Sequence, residues 1–198
     1  SKEQHQMAKL RVDEEGLSSR INLLLEDYRD LSGQFDKLVS IEMIEAVGYQ
    51  FYSDYFKKCS SLLKADGLMV LQAITIADQQ YTKSIQSVDF IQKYIFPGGC
   101  LPSVSCMTEI MTAHTDLRVT NIEDIGPHYA FTLKEWRNRL YENIDKIKKM
   151  GYSETFIRMW HYYLCYCEGA FIERAIGDVQ MILMKPENRN EPYLNFKK

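Results

Sequence analysis

The sequence predicts an open, doubly wound α/β domain on three observations. Residues 21–26 (INLLLE), 37–42 (KLVSIE) and 68–76 (LMVLQAITI) are apolar on both faces, as strands between two helix layers must be. Between the last two, Tyr52, Tyr55, Phe56, Cys59, Leu62 and Leu63 recur at helical spacing, which makes a βαβ crossover. A final apolar run at 179–184 follows two consecutive helical patterns, as in doubly wound sheets.

Taken in order, 4–15 reads as a helix with Met7, Leu10 and Val12 among charges and Gly16 as its stop, and no strand precedes it. The crossover helix spans 49–63, and Lys64-Ala65-Asp66-Gly67 reads as the turn after it. Beyond Ile76 the chain becomes polar and aromatic, with a short helix at 87–94. The Pro-Gly-Gly-Cys-Leu-Pro run at 97–102 interrupts regular structure, so 77–117 reads as an insertion within one domain covering 1–198. Residues 118–125 form the next expected strand. Helix 133–150 places Trp136, Leu140, Ile144 and Ile147 on one face, helix 153–176 is capped by Ser153, and the last strand stops before Pro186.

Charge bounds the partners. Lys plus Arg number 24 against 27 Asp plus Glu, a net charge of -3, which argues against a dedicated nucleic-acid binder. The longest purely apolar run, 68–71, is far short of the roughly 18 residues a spanning helix needs, and the polar start is no signal peptide. Five cysteines without CxxC spacing indicate neither a disulfide framework nor a cysteine zinc site. The expectation is a soluble protein of the reducing cytoplasm.

In such a sheet the ligand lies beyond the C-terminal strand ends. After the first strand come Asp27 and Tyr28, an acid and an aromatic that suit an adenosine, or simply a polar turn. After the second, Glu42 and Glu45 lie in an apolar segment, where one buried carboxylate would be a candidate base or a dipole-favoured helix start. Gln72 and Thr75 interrupt the third strand. Cys167 shares a helical face with Trp160, Tyr163, Leu164, Ala170 and Phe171, the setting of an inert thiol. Lys134, Arg137, Arg139, Lys146, Lys148 and Lys149 make one helix basic, either a solvated face or a contact for anionic headgroups. The four histidines form no zinc motif, and neither GxSxG nor a phosphate loop is present.

Six segments then carry a resemblance: Leu-Glu-Asp-Tyr-Arg-Asp-Leu at 25–31, Phe-Asp-Lys-Leu-Val-Ser-Ile-Glu-Met-Ile-Glu-Ala-Val-Gly at 35–48, Lys-Tyr-Ile-Phe-Pro-Gly-Gly-Cys-Leu-Pro-Ser-Val at 93–104, Ile-Gly-Pro-His-Tyr at 125–129, Thr-Leu-Lys-Glu-Trp at 132–136, and Tyr-Tyr-Leu-Cys-Tyr-Cys-Glu-Gly-Ala-Phe at 162–171. Together they resemble the cyclopropane-fatty-acyl-phospholipid synthases and mycolic acid cyclopropane synthases over nearly the whole chain. The segment at 93–104 is the most specific, because other S-adenosylmethionine methyltransferases share the sheet but not that lipid-site insertion.

The resemblance implies a class I S-adenosylmethionine methyltransferase fold, N-terminally truncated, that adds a methylene across a cis double bond of an unsaturated phospholipid acyl chain, with carbonate or bicarbonate as the base. By position it implies Ser1, Gln4, Asp27 and Tyr28 at the cofactor, Glu45, Tyr129 and the Ile74 backbone at the ion, and Cys167 as the cysteine discussed as catalytic, here expected to line the acyl slot. Gln72 stands where many members have His; it cannot become a cation, which favours the alternative of a small-molecule N- or C-methyltransferase. Glu45, Gln72 and Tyr129 are expected to converge on one small anion or water. The glycine-rich cofactor loop has no counterpart in this sequence. The chain is therefore expected to be an inactive fragment by itself, prone to self-association through its open strands at 21–26 and 37–42, or else a non-catalytic interaction module. Membrane contact at the inner face is expected to be peripheral, through 90–96 and the basic helix. No metal is expected.

Overall fold

The computed structural model describes residues 1–190. It divides into two compact units, Ser1–Gly33 and a second that begins at Gln34.

The first unit holds helix α1 (Lys2–Glu14), started by a reciprocal cap: Ser1 Oγ accepts from the Gln4 backbone N–H, and Gln4 Oε1 accepts from the Ser1 amino group. A single turn at Tyr28–Asp30 is capped by Asp27. Residues 21–26, expected as a strand, are irregular. Ile21, Leu24 and Leu25 are exposed and the run pairs with no strand among the described residues. An apolar run becomes a strand only where another strand takes up its backbone groups.

The second unit is built on a four-stranded sheet in the order β1-β2-β4-β3: β1 (Phe35–Ile41), β2 (Leu63–Ile76), β3 (Arg118–Asp124) and β4 (Ile176–Met184). β1 and β2 are parallel, as the crossover through helix α2 (Tyr52–Ser61) requires. β4 runs antiparallel between β2 and β3. So the sheet holds one parallel pair rather than three parallel strands. Lys64 to Gly67 make no turn; they extend β2 and bond back to the chain after β4, with Lys185 N–H donating to Gly67 O and Glu187 N–H to Ala65 O.

Segment 77–117 contains α3 (Asp78–Ile85), α4 (Phe90–Tyr94) and α5 (Val104–His114). Helix α5 has no counterpart among the elements expected from sequence; Ser103 caps it, and Met107 and Met111, one turn apart, are buried. The expected helix at 133–150 begins earlier and breaks at Asn143, giving α6 (Gly126–Glu142) and α7 (Ile144–Lys149). α8 (Glu154–Ile172) ends before Arg174, whose φ of 54° reverses the chain into β4.

Helices cover both sheet faces. On one, α2 packs on β2 and α5, and the buried Tyr55 hydroxyl donates to Ser40 Oγ at 2.6 Å. On the other, Leu133, Leu140, Leu164 and Phe171 from α6 and α8 form a core that takes in Ile74 and Ile176. Each such side chain contributes about 1.5–3 kcal/mol by leaving water.

Candidate active site

The C-terminal ends of β1 and β2 meet the start of β4, and three carboxylates gather there. β1 stops at Glu42, a non-glycine residue with φ of 49°, whose N–H still donates to Gln72 O at 2.9 Å. That reversal turns its side chain toward β2. Glu42 Oε1 accepts from Gln72 Nε2 at 2.9 Å and Oε2 from the Tyr129 hydroxyl at 3.0 Å. The other N–H of the same Gln72 amide donates to Asp178 Oδ2 at 3.0 Å. Gln180 Nε2 donates to Gln72 Oε1 at 2.8 Å, which fixes the orientation of that amide. The ladder places these groups on one face, since Gln72 pairs with Gln180 and Ile74 with Asp178.

Glu45 lies one turn further on. Its Oε1 accepts from the Ile74 backbone N–H at 2.6 Å, while Oε2 is buried without a hydrogen-bond partner among the described residues. Burial, with Glu42 adding to it, pushes Glu45 up to about 7. Asp178 is fully buried, its Oδ1 likewise lacks a partner, and burial together with Glu42 and Glu45 raises it to about 7. Burial and Glu42 also push the Tyr129 phenol up.

Tyr129 is set by the Ile-Gly-Pro-His-Tyr start of α6. Gly126 N–H donates to Asp124 Oδ1 at 2.8 Å, and a Cβ on Gly126 would stand 3.2 Å from the Asp178 backbone N, so any larger residue would have to push α6 a few tenths of an ångström from β4. The Tyr129 ring stacks on Phe171 at 4.8 Å and meets Trp136 edge-on. Cys167 packs in the same apolar cluster, and burial, then Asp89, pushes its thiol up to about 11, far from a thiolate at neutral pH.

Gln72, Tyr129, the Ile74 N–H and Glu45 are thus neighbours, but the residue that joins Gln72 to Tyr129 is Glu42, and Glu45 bonds neither of them. Asp178 and Gln180 join the site beyond the residues expected from sequence. Their signal was present: Asp178 and Gln180 are the polar alternates of an otherwise apolar run, and starting that strand at 179 puts Asp178 outside it. Among the described residues no group of three His, Cys, Asp or Glu could hold a metal ion.

In the first unit, Asp27 Oδ1 accepts from the Arg29 N–H and Nε, both at 2.9 Å, and Oδ2 from Nη2 at 2.7 Å. Those bonds from Arg29 hold Asp27 down at about 2, so it stays ionised, with one acceptor position left on Oδ2. An exposed, ionised acceptor fits an adenosine amine or ribose hydroxyl. Ser1 and Gln4 spend their polar groups on each other but remain exposed. A carbonate ion fits poorly: the Gln72 amide, the Tyr129 hydroxyl and the Ile74 N–H, the donors assigned to it, all bond carboxylates of the chain itself.

A parallel pair extended by an antiparallel strand inserted before the last one, with polar groups gathered at the strand ends, belongs to the class I S-adenosylmethionine methyltransferase fold. The chain superposes on the apo form of the mycolic acid cyclopropane synthase CmaA1 with a TM-score of 0.77 at 29% identity, covering 93% of this chain and 71% of that one. It superposes on the cyclopropane synthase MmaA2 from Mycobacterium tuberculosis with a TM-score of 0.74 at 26% identity, covering 86% and 65%. The profile of the family described as mycolic acid cyclopropane synthetase matches residues 1–181, and the chain belongs to that family. It is 42% identical to the tuberculostearic acid methyltransferase UfaA1 of Mycobacterium tuberculosis and 38% identical to the cyclopropane-fatty-acyl-phospholipid synthase of Escherichia coli K12, in each case over 93% of its length. It spans 43% and 46% of those two proteins, less than half of either.

Proposed function

We propose that the protein methylates unsaturated phospholipid acyl chains from S-adenosylmethionine, as a cyclopropane-fatty-acyl-phospholipid synthase. The observation that carries this reading is the cluster of Glu42, Glu45, Gln72, Tyr129 and Asp178, which holds two carboxyls near 7 against an apolar wall that includes Phe171 and Cys167. Chemistry at an alkene needs a proton acceptor in a dry setting, and little else that is polar. S-adenosylmethionine supplies the methyl group on a sulfonium; Asp27 and Tyr28, with Ser1 and Gln4, are the residues proposed to hold it.

A second reading has its own support. The relative at 42% identity is by name a tuberculostearic acid methyltransferase, not a cyclopropane synthase, which favours a product that keeps a methyl branch instead of closing a ring. Mass spectrometry and proton NMR of lipids from cells expressing the encoding gene test both. Acyl chains heavier by one methylene per double bond, with the upfield ring-proton signals of a cyclopropane, are expected. A mass gain without those signals selects the branched product, and no gain refutes lipid methylation. Cys167→Ser is expected to keep measurable activity, because a thiol held near 11 is not a nucleophile.

No described helix is long and apolar enough to cross a membrane, so contact with the inner membrane face is proposed as peripheral. The aromatic end of the 77–117 segment supports this, with Tyr94 and Phe96 more than half exposed beside Lys93. The basic helix has less to offer, since Arg137 is bonded to Glu168 and Lys148 to Glu154. Self-association is proposed through β1, where Val39 is 63% and Ile41 61% exposed.

A further inference from the structure

The donors beside Glu45 are already satisfied by the chain. Gln72 has two amide hydrogens, and both go to carboxylates; its oxygen is held by Gln180, so the amide cannot turn to present either hydrogen elsewhere. Tyr129 donates its one hydroxyl hydrogen to Glu42, and the Ile74 N–H is taken by Glu45. An added anion would have to break these bonds and sit among Glu42, Glu45 and Asp178, and among the described residues no cation is paired with any of the three.

Glu45, by contrast, is built as an acceptor. Oε1 is pinned by Ile74, which aims the carboxylate and leaves Oε2 with free lone pairs. The Glu45 carbonyl accepts from the Cys100 N–H at 2.8 Å, and the buried Tyr52 hydroxyl clamps Cys100 O at 2.6 Å. This ties Glu45 to the segment whose Phe96 meets Tyr163 edge-on.

We propose that Glu45 itself, through Oε2, is the proton acceptor of the reaction, in the place that the family resemblance gives to a carbonate or bicarbonate ion. The inference rests on the lipid-methylation reading. As the methyl carbon bonds to one alkene carbon, its bond to sulfur breaks, sulfur keeps that pair as a thioether, and the other alkene carbon becomes a cation. Glu45 Oε2 takes one proton from the transferred methyl, and the pair of that C–H bond closes the ring onto the cationic carbon. Glu45 is left neutral and returns its proton to water. Burial, with Glu42 beside it, disfavours its ionised form, which sets it near neutrality as a base that can also be recharged.

The test uses the whole gene product with vesicles of a dioleoyl phospholipid and S-adenosylmethionine, in buffer stripped of carbon dioxide and with bicarbonate restored in excess. The two rates are expected to agree within about twofold. Glu45→Gln is expected to lower kcat by on the order of 100-fold with little change in the lipid KM and no recovery on adding bicarbonate, whereas Glu45→Asp keeps part of the rate. Isotope-labelled bicarbonate titrated into the unmutated protein without cofactor, followed by carbon NMR, is expected to show no saturable binding. Stimulation by bicarbonate of several-fold, recovery of Glu45→Gln by bicarbonate, or saturable binding that Tyr129→Phe removes would each overturn the proposal. A protein that makes no methylated lipid in any buffer refutes the reaction and Glu45's part in it, and the titration then reports separately whether the site admits the anion.

Discussion

The two ends of the sheet use the same residue types to opposite effect. Where β1 and β2 end, Glu42, Glu45 and Asp178 meet, among the described residues, neutral donors alone: an amide, a phenol and a backbone N–H. Where β2 begins and β4 ends, Asp116 accepts from Lys185 at 2.6 Å and from Ser60 at 2.8 Å, and Asp36 accepts from Lys64 at 2.7 Å. At the first end burial carries Glu45 and Asp178 up to about 7. At the second, against the upward pull of burial, Lys185 and Ser60 hold Asp116 below its ordinary range, and Lys64 does the same for Asp36. A cation makes a carboxylate inert; neutral donors keep it chemically available at a cost in stability.

The sharpest way to break this contrast is Gln72→Leu. It removes the amide that Glu42 and Asp178 share and leaves two carboxylates facing an apolar group, at a cost of about 3 kcal/mol. Urea unfolding of the variant against the unmutated protein checks it, and an unchanged midpoint would mean that the amide bridges nothing essential.

A smaller effect separates the ends by pH. Asp178 binds its proton more tightly folded than unfolded, so between about pH 4 and pH 7 the native state holds more protons and stability falls as pH rises, levelling off above its folded value. Glu45 contributes in the same direction. Asp178→Asn is expected to flatten that decline by about 2 kcal/mol and leave the share due to Glu45. Denaturation midpoints across that pH range give the slope, and a decline as steep in the variant as in the unmutated protein would count against Asp178.

The smallest effects belong to the far end. Lys185→Met is expected to cost about 1 kcal/mol, because the lysine is mostly covered although Asp116 is half exposed. Lys64→Ala, breaking a pair open to solvent, is expected to leave the urea midpoint where it was. Equal losses from the two would show that burial does not set the difference.

The segments with a strong local pattern were legible: α2 and α8 bury an apolar stripe and β2 buries alternate residues, while β1 and β3 follow their apolar composition although Phe35, Val39, Ile41, Val119 and Ile122 stay exposed. Residues 21–26 misled because composition records what a run could bury and not whether a partner strand is at hand. α5 was hidden behind the Pro and Gly residues before it, and its Met107 and Met111 are too sparse a stripe to stand out. Within the site, Glu45, Gln72 and Tyr129 were found, while Asp178 was missed because it lies 106 residues from its partner Gln72 and is joined to it only by antiparallel register. Glu42 was weighed as a buried acid, but nothing local in the sequence says that its backbone reverses.

That reversal at Glu42 is sustained by the bonds it makes possible. A left-handed φ costs a side-chain-bearing residue about 1 kcal/mol that glycine would not bear. Glu42→Gly would recover that and leave the Gln72 amide and the Tyr129 hydroxyl without their acceptor, about 1–3 kcal/mol for each donor. A library built to harden the protein should therefore hold Glu42 fixed, because here the strained backbone and the stable fold depend on the same carboxylate.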